Sequence, residues 1–152
     1  MAHILIADDD ELVAELAKDA LFNAGHTCGW VETCDRAWSS LQTRRPDLLL
    51  LDQHMPGMSG INLLRNLRNS PDFYDLPVIM LTAMTGVEDE TRAIFAGAHD
   101  YVRKPFTASR LCSAVDILLM KRGTSPHMNL HDRMKQDCGL ATANNFKIRR
   151  YI

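Results

Sequence analysis

Residues 47–51, DLLLL, run apolar almost without interruption and lead directly into the carboxylate of Asp52. A strand with leucines on both sides of its pleat must be covered on both faces, the situation of a central strand in a parallel sheet. Four other short apolar runs follow the same pattern: HILIA (3–7), TCGWV (27–31), LPVIMLT (76–82) and DYVRK (100–104). Between them lie stretches of helical spacing. In DELVAELAKDALFNAG the residues Leu12, Leu16, Ala20 and Phe22 or Ala24 form the expected apolar face, and Gly25 stops the helix. In CDRAWSSLQTRR the face is Ala37, Trp38 and Leu41, closed by Pro46; GINLLRNLRN is a third helix and GVEDETRAIFAGA a fourth. The last, TASRLCSAVDILLMKR, opens with Thr107 or Ser109 as cap and repeats Leu111, Val115, Leu118 and Leu119. Five βα units in order imply an α/β fold with a doubly wound, five-stranded parallel sheet. Ligands of such sheets bind beyond the carboxyl ends of the strands.

The bulk properties narrow the function classes. The chain has 152 residues, 46% apolar and 24% charged, enough for one domain with a real core. A net charge of -2 argues against a general nucleic-acid or membrane-surface binder. No apolar run approaches the roughly 20 residues of a membrane span. The N-terminus MAHILIADDD turns acidic at once and does not read as a signal peptide. Cys28, Cys34, Cys112 and Cys138 show neither CxxC pairing nor metal-ligand spacing, as expected of reduced thiols in a cytoplasmic protein. Residues 123–152 break the alternation. They read as a flexible or loosely docked extension to a domain spanning 1–122, with MNLHDRMKQD as a short helix and NFKIRRYI as an added strand or basic tail.

The strand ends carry the chemistry. Strand one ends in Asp8, Asp9 and Asp10, strand three in Asp52, strand four in Thr82 and Ala83, and strand five in Lys104 followed by Pro105. Taken singly, each has an ordinary explanation: a helix cap, a turn residue, a strand-end threonine, a surface lysine. Asp10 keeps that explanation, as the cap of the first helix. Strands one, three, four and five are neighbours in the layout above, so three carboxylates, a hydroxyl and an ammonium converge. Two carboxylates about 4 Å apart repel by roughly 4 kcal/mol at an effective dielectric of 20. Such a cluster calls for cations, and a hard divalent ion held by oxygens would add to the charge of Lys104.

The segments ILIADDDE, DLLLLDQHMPGMSG, PVIMLTA and GAHDYVRKPF resemble the receiver domain of two-component response regulators, CheY-like, over residues 1 to about 121. The resemblance implies a flavodoxin-like (βα)5 fold with strand order 2-1-3-4-5. It also implies phosphorylation of an aspartate by a sensor histidine kinase or histidine phosphotransfer protein, with Mg2+ or Mn2+ as cofactor. Position by position, it makes Asp52 the phosphoacceptor, Asp9 a direct metal ligand and Asp8 its partner acting mostly through water. Asp52 itself and the backbone carbonyl of His54 complete the metal set. Thr82 and Lys104 would bind phosphoryl oxygens, small Ala83 would leave room for them, and Lys104–Pro105 would be a cis peptide. Thr82 and Tyr101 would form a switch that reshapes the surface of helix four, strand five and helix five, where a downstream protein binds. His54 and Met84 would flank the phosphoryl group, with apolar Met84 slowing its hydrolysis.

The leading expectation is therefore a phosphoacceptor signalling protein, not an enzyme beyond its own phosphorylation and dephosphorylation, with output through protein–protein contacts and no direct DNA binding or membrane contact. One alternative is an aspartate-nucleophile phosphatase or phosphotransferase on a related fold, which LDQHM disfavours because it lacks a second Asp two positions after Asp52. Another makes the tail the effector, with KIRRYI binding an anionic partner or pairing with a strand edge in a homodimer.

Overall fold

The computed structural model describes residues 1–83 and 87–124. Met84, and almost all of the extension read over 123–152, lie outside the described residues. The elements run β1 (His3–Ala7), α1 (Glu11–Asn23), β2 (Thr27–Val31), α2 (Cys34–Thr43), β3 (Leu48–Asp52), α3 (Gly60–Arg68), β4 (Val78–Thr82), α4 (Val87–Ala96), β5 (Asp100–Arg103) and α5 (Ala108–Thr124). The five strands form one parallel sheet in the order β2-β1-β3-β4-β5. This is the doubly wound sheet expected from the alternation, in the flavodoxin-like strand order that the resemblance implies.

Register sets where the strand ends fall. Ala7 lies beside Leu51, Asp52 beside Leu81, and Thr82 beside Arg103. The residues just past β1, β3, β4 and β5 therefore emerge on one edge. Alternation along each strand divides the core in two. Ile4, Ile6, Leu48, Leu50, Ile79, Leu81 and Val102 pack under α1 and α5. Leu5, Leu49, Leu51, Val78 and Met80 pack under α2, α3 and α4. All four leucines of β3 are fully buried, two on each side, as a strand sandwiched between helix layers requires.

The helix starts follow local capping chemistry. Asp10 Oδ1 accepts the Leu12 N–H, Thr33 Oγ1 the Arg36 N–H and Ser59 Oγ the Asn62 N–H. Thr107 Oγ1 accepts the Arg110 N–H, so Thr107 and not Ser109 caps α5. The face of α1 differs from expectation. Leu12 and Phe22 are 72% and 75% exposed and Leu16 is exposed too, while Ala14, Ala17, Ala20 and Leu21 are buried. Ala20 belongs to the expected face and is buried as expected; Leu12, Leu16 and Phe22 are not. The alanine face wins because small side chains let α1 lie close to the sheet and to α5.

Candidate functional site

The acidic turn after β1 is held by its own side chains and by β2. The Asp8 N–H donates to Val31 O at 3.1 Å, and Asp8 Oδ1 accepts the Asp10 N–H at 2.9 Å. Asp8 is thereby fully buried, whereas Asp9 is exposed. Asp52 is buried at the end of β3. One carboxylate oxygen from each of Asp8, Asp9 and Asp52 lies within 4.8 Å of the others. Lys104 Nζ reaches in from beyond β5, 2.6 Å from Asp8 Oδ2 and 3.1 Å from Asp52 Oδ1. The His54 N–H approaches Asp52 Oδ1 at 3.4 Å, and the His54 side chain is exposed.

Three carboxylates facing one ammonium leave the pocket acidic. Burial pushes the Asp52 carboxyl up to about 6; Lys104 opposes this, Asp8 adds to it, and the His54 N–H opposes it weakly. Burial alone would lower the Lys104 ammonium, but the hydrogen bond and charge of Asp8 and the charge of Asp52 outweigh it and hold it above its ordinary value. The lysine stays charged and does not suffice to bring Asp52 to the usual carboxylate range. An all-oxygen donor set with this uncompensated charge fits a hard divalent cation such as Mg2+ or Mn2+.

The other expected residues take up positions around this cluster. Thr82 is buried at the end of β4, its carbonyl accepting the Lys104 N–H at 2.7 Å, and exposed Ala83 follows. Lys104–Pro105 is a cis peptide. Tyr101 is half-buried on β5, and its phenol is pushed up first by a hydrogen bond to the Glu90 carboxylate. Glu90 also pairs with the guanidinium of Arg103. Burial works to raise the Glu90 carboxyl, yet the Tyr101 and Arg103 contacts outweigh it and hold it below its ordinary value. Tyr101 is thus tied to α4 through Glu90.

Two supports of the site were not singled out from the sequence. A Cβ on Gly60 would fall 2.1 Å from the Asp52 carbonyl oxygen, so the first residue of α3 must be glycine for that helix to abut β3. The Gly60 N–H also donates to Gln53 O at 3.0 Å. Cys34 donates its thiol to Met58 O at 3.2 Å, tying α2 to the loop after Asp52; burial pushes this thiol up to about 11, that of an inert side chain. The glycine in MSG was legible as punctuation, but its contact partner lies eight residues back.

A flavodoxin-like sheet with carboxylates and a lysine gathered beyond its strand ends defines a class of α/β proteins that bind ligands at that edge. This chain belongs to the response regulator receiver domain family: the family's model matches residues 4–116. It is 38% identical over 120 residues to the phosphate regulon transcriptional regulatory protein PhoB of Pseudomonas aeruginosa, covering 79% of this chain and 52% of that protein. It is 36% identical over 123 residues to the DNA-binding response regulator MtrA of Mycolicibacterium smegmatis, covering 81% and 53%. The signal receiver domain of a signal transduction histidine kinase from Syntrophus aciditrophicus superposes with a TM-score of 0.76 at 34% identity, covering 86% of this chain and 98% of that one. The chain spans about half the length of the curated relatives it matches.

One expectation is corrected by these likenesses. The sequence reading expects no direct DNA binding, with a net charge of -2 and output through protein–protein contacts. PhoB and MtrA are named as a transcriptional regulatory protein and a DNA-binding response regulator, and the segment matched here is only about half of each. The end of a sequence carries no information about DNA contact, so the expectation does not stand. Among the described residues, no helix is long and apolar enough to cross a membrane.

Proposed function

We propose that Asp52 accepts a phosphoryl group from a histidine kinase or histidine phosphotransfer protein, and that the phosphorylated receiver signals through altered protein contacts. The observation that carries this reading is the convergence of three carboxylates within 4.8 Å of one another with Lys104 at 3.1 Å from Asp52. A bound Mg2+ or Mn2+ supplies charge neutralisation for the transferring phosphoryl oxygens, with Asp8, Asp9, Asp52 and the His54 carbonyl as the groups that would hold it. The Asp52 carboxylate attacks phosphorus, a P–O bond forms, and the P–N bond to the donor imidazole breaks with its electron pair leaving on nitrogen. Lys104 stabilises the negative charge spread over the phosphoryl oxygens, and the Thr82 hydroxyl donates to one of them. Tyr101 and Thr82 act together as the switch, the Glu90 link setting the position from which Tyr101 moves.

Catalysis beyond the protein's own phosphorylation and dephosphorylation is disfavoured by residue 54. A phosphatase of the aspartate-nucleophile kind needs an acid two positions past the nucleophile, and this chain has an exposed histidine there. The free Cys28, Cys34 and Cys112 fit a cytoplasmic protein. PhoB and MtrA favour a second reading of the output, in which this receiver governs a DNA-bound regulator.

The test is incubation with acetyl phosphate and Mg2+ followed by intact mass. The wild-type chain is expected to gain one phosphate stoichiometrically, and Asp52→Asn none. A wild-type chain that never gains it, or an Asp52→Asn chain that does, would remove the proposal.

A further inference from the structure

Asp9 is the exposed member of the carboxylate cluster, and none of the described hydrogen bonds or ion pairs ends on its side chain. The starting direction of its Cα–Cβ bond is therefore set by the backbone alone, beginning with the peptide that precedes it. β2 holds that peptide at its carbonyl and the peptide before it at its N–H. The Asp8 N–H donates to Val31 O at 3.1 Å, and the Asp8 carbonyl oxygen accepts the indole N–H of Trp30 at 2.7 Å. The carbonyl of Asp8 and the amide of Asp9 share one rigid plane. A donor fixed to that oxygen thus fixes the orientation at which the chain enters Asp9. The indole is itself restrained: Trp30 pairs with Ile6 in the sheet, packs against the core under α1 and α5, and carries the Lys18 ammonium 5.9 Å from its ring centroid.

We infer that Trp30 is a positioning residue for cation binding: its indole N–H locks the Asp8–Asp9 peptide so that the Asp9 carboxylate faces Asp8 and Asp52 before a divalent ion arrives. The inference rests on reading those carboxylates as a cation site. Without the indole donor the peptide plane loses the one bond among the described residues that holds its carbonyl, and binding must restrict it further. A group 22 residues away from Asp8, on the strand next to β1, thereby contributes to affinity without touching the ion.

The experiment uses the full chain and Mn2+ as probe, with free Mn2+ measured by electron paramagnetic resonance. Trp30→Phe keeps a ring and loses the N–H. Replacement of Trp30 by 3-benzothienylalanine keeps the bicyclic shape and loses only the donor, and serves if Trp30→Phe folds poorly. Replacement by 5-fluorotryptophan retains the donor. The first two are expected to raise the Mn2+ dissociation constant about three- to tenfold, the range of one hydrogen bond, and the third to leave it at the wild-type value. A dissociation constant within twofold of wild type for 3-benzothienylalanine overturns the inference, even if the metal-free chain melts earlier, because that pattern is purely structural. A wild-type chain that binds no Mn2+ removes the underlying cation site and this inference with it. Wild-type binding with no response to the loss of the donor removes this inference alone.

Discussion

At the amino edge of the sheet, polar groups answer one another. Asp47 accepts the His3 N–H at 2.8 Å, and His26 sits between the Ala2 N–H at 3.2 Å and Asp116 at 3.2 Å. Arg68 donates to the carbonyls of Gly97, Phe73 and Tyr74 at 2.9, 3.1 and 3.2 Å, joining the loops that lead into β4 and β5. At the carboxyl edge, Asp8, Asp9 and Asp52 converge, the Lys104 ammonium pairs with Asp8 and Asp52, and Asp52 remains well above its ordinary range. Both edges belong to the same sheet and lie about one strand length apart. The hydrogen bonds of one edge contribute stability; the other edge is held under electrostatic load. Variants at the two edges should therefore separate stability from phosphorylation.

Gly60→Ala is the change expected to break that separation. It lies at the carboxyl edge but acts through packing, because its new methyl group meets the Asp52 backbone at 2.1 Å. More than about 3 kcal/mol of stability should be lost, at the upper end of overpacking effects. Phosphorylation should fall with it as α3 is displaced from β3. Urea unfolding and the acetyl phosphate assay on the same sample measure both.

Arg68→Met sharpens the comparison from the amino edge. Three carbonyls lose their charged donor, and a loss of about 2–3 kcal/mol is expected. The mass gained with acetyl phosphate below the melting range should be unchanged, since Arg68 contacts nothing in the acidic pocket among its described partners.

Asp52→Asn gives the smallest change in stability and the opposite sign. The fold binds the Asp52 proton more tightly than the unfolded chain, so this residue's ionisation weakens the fold as pH rises from about 4 to 6, and the full penalty holds above that window. The amide removes it. Metal-free Asp52→Asn is expected to be more stable than wild type at neutral pH by about 1–2 kcal/mol. The difference should shrink as pH falls through 6 and vanish near the ordinary carboxylate value. Thermal melts in a chelator at several pH values check this.

The contrast between edges was partly legible in the sequence. Short apolar runs bounded by Asp8–Asp10, Asp52, Thr82 and Lys104 imply a parallel sheet with those residues at its carboxyl edge through the βα alternation. The strand order comes from the family resemblance, and the register is known from the structure. The cap at Asp10 is local and was readable, while at α5 the sequence left Thr107 and Ser109 open and the Arg110 N–H bond selects Thr107. On α1, Ala20 is buried as expected, but Leu12, Leu16 and Phe22 are not, because close helix-to-sheet contact selects the small residues Ala14, Ala17 and Ala20. Gly60 and Trp30 escaped notice because each acts on a backbone oxygen, of Asp52 and Asp8, and no side-chain pattern encodes that. Glu90 looks like one acid among several on an amphipathic helix; only the fold reveals that it meets Tyr101 and Arg103.

The load on Asp52 can be measured directly by following its carboxyl carbon chemical shift through a pH titration, first in a chelator and then with Mg2+. The expected result is an inflection at about 6 without metal that moves downward when Mg2+ is present. An inflection near the ordinary carboxylate value of about 4, indifferent to Mg2+, would contradict the reading of the carboxyl edge as an acidic site completed by a divalent cation.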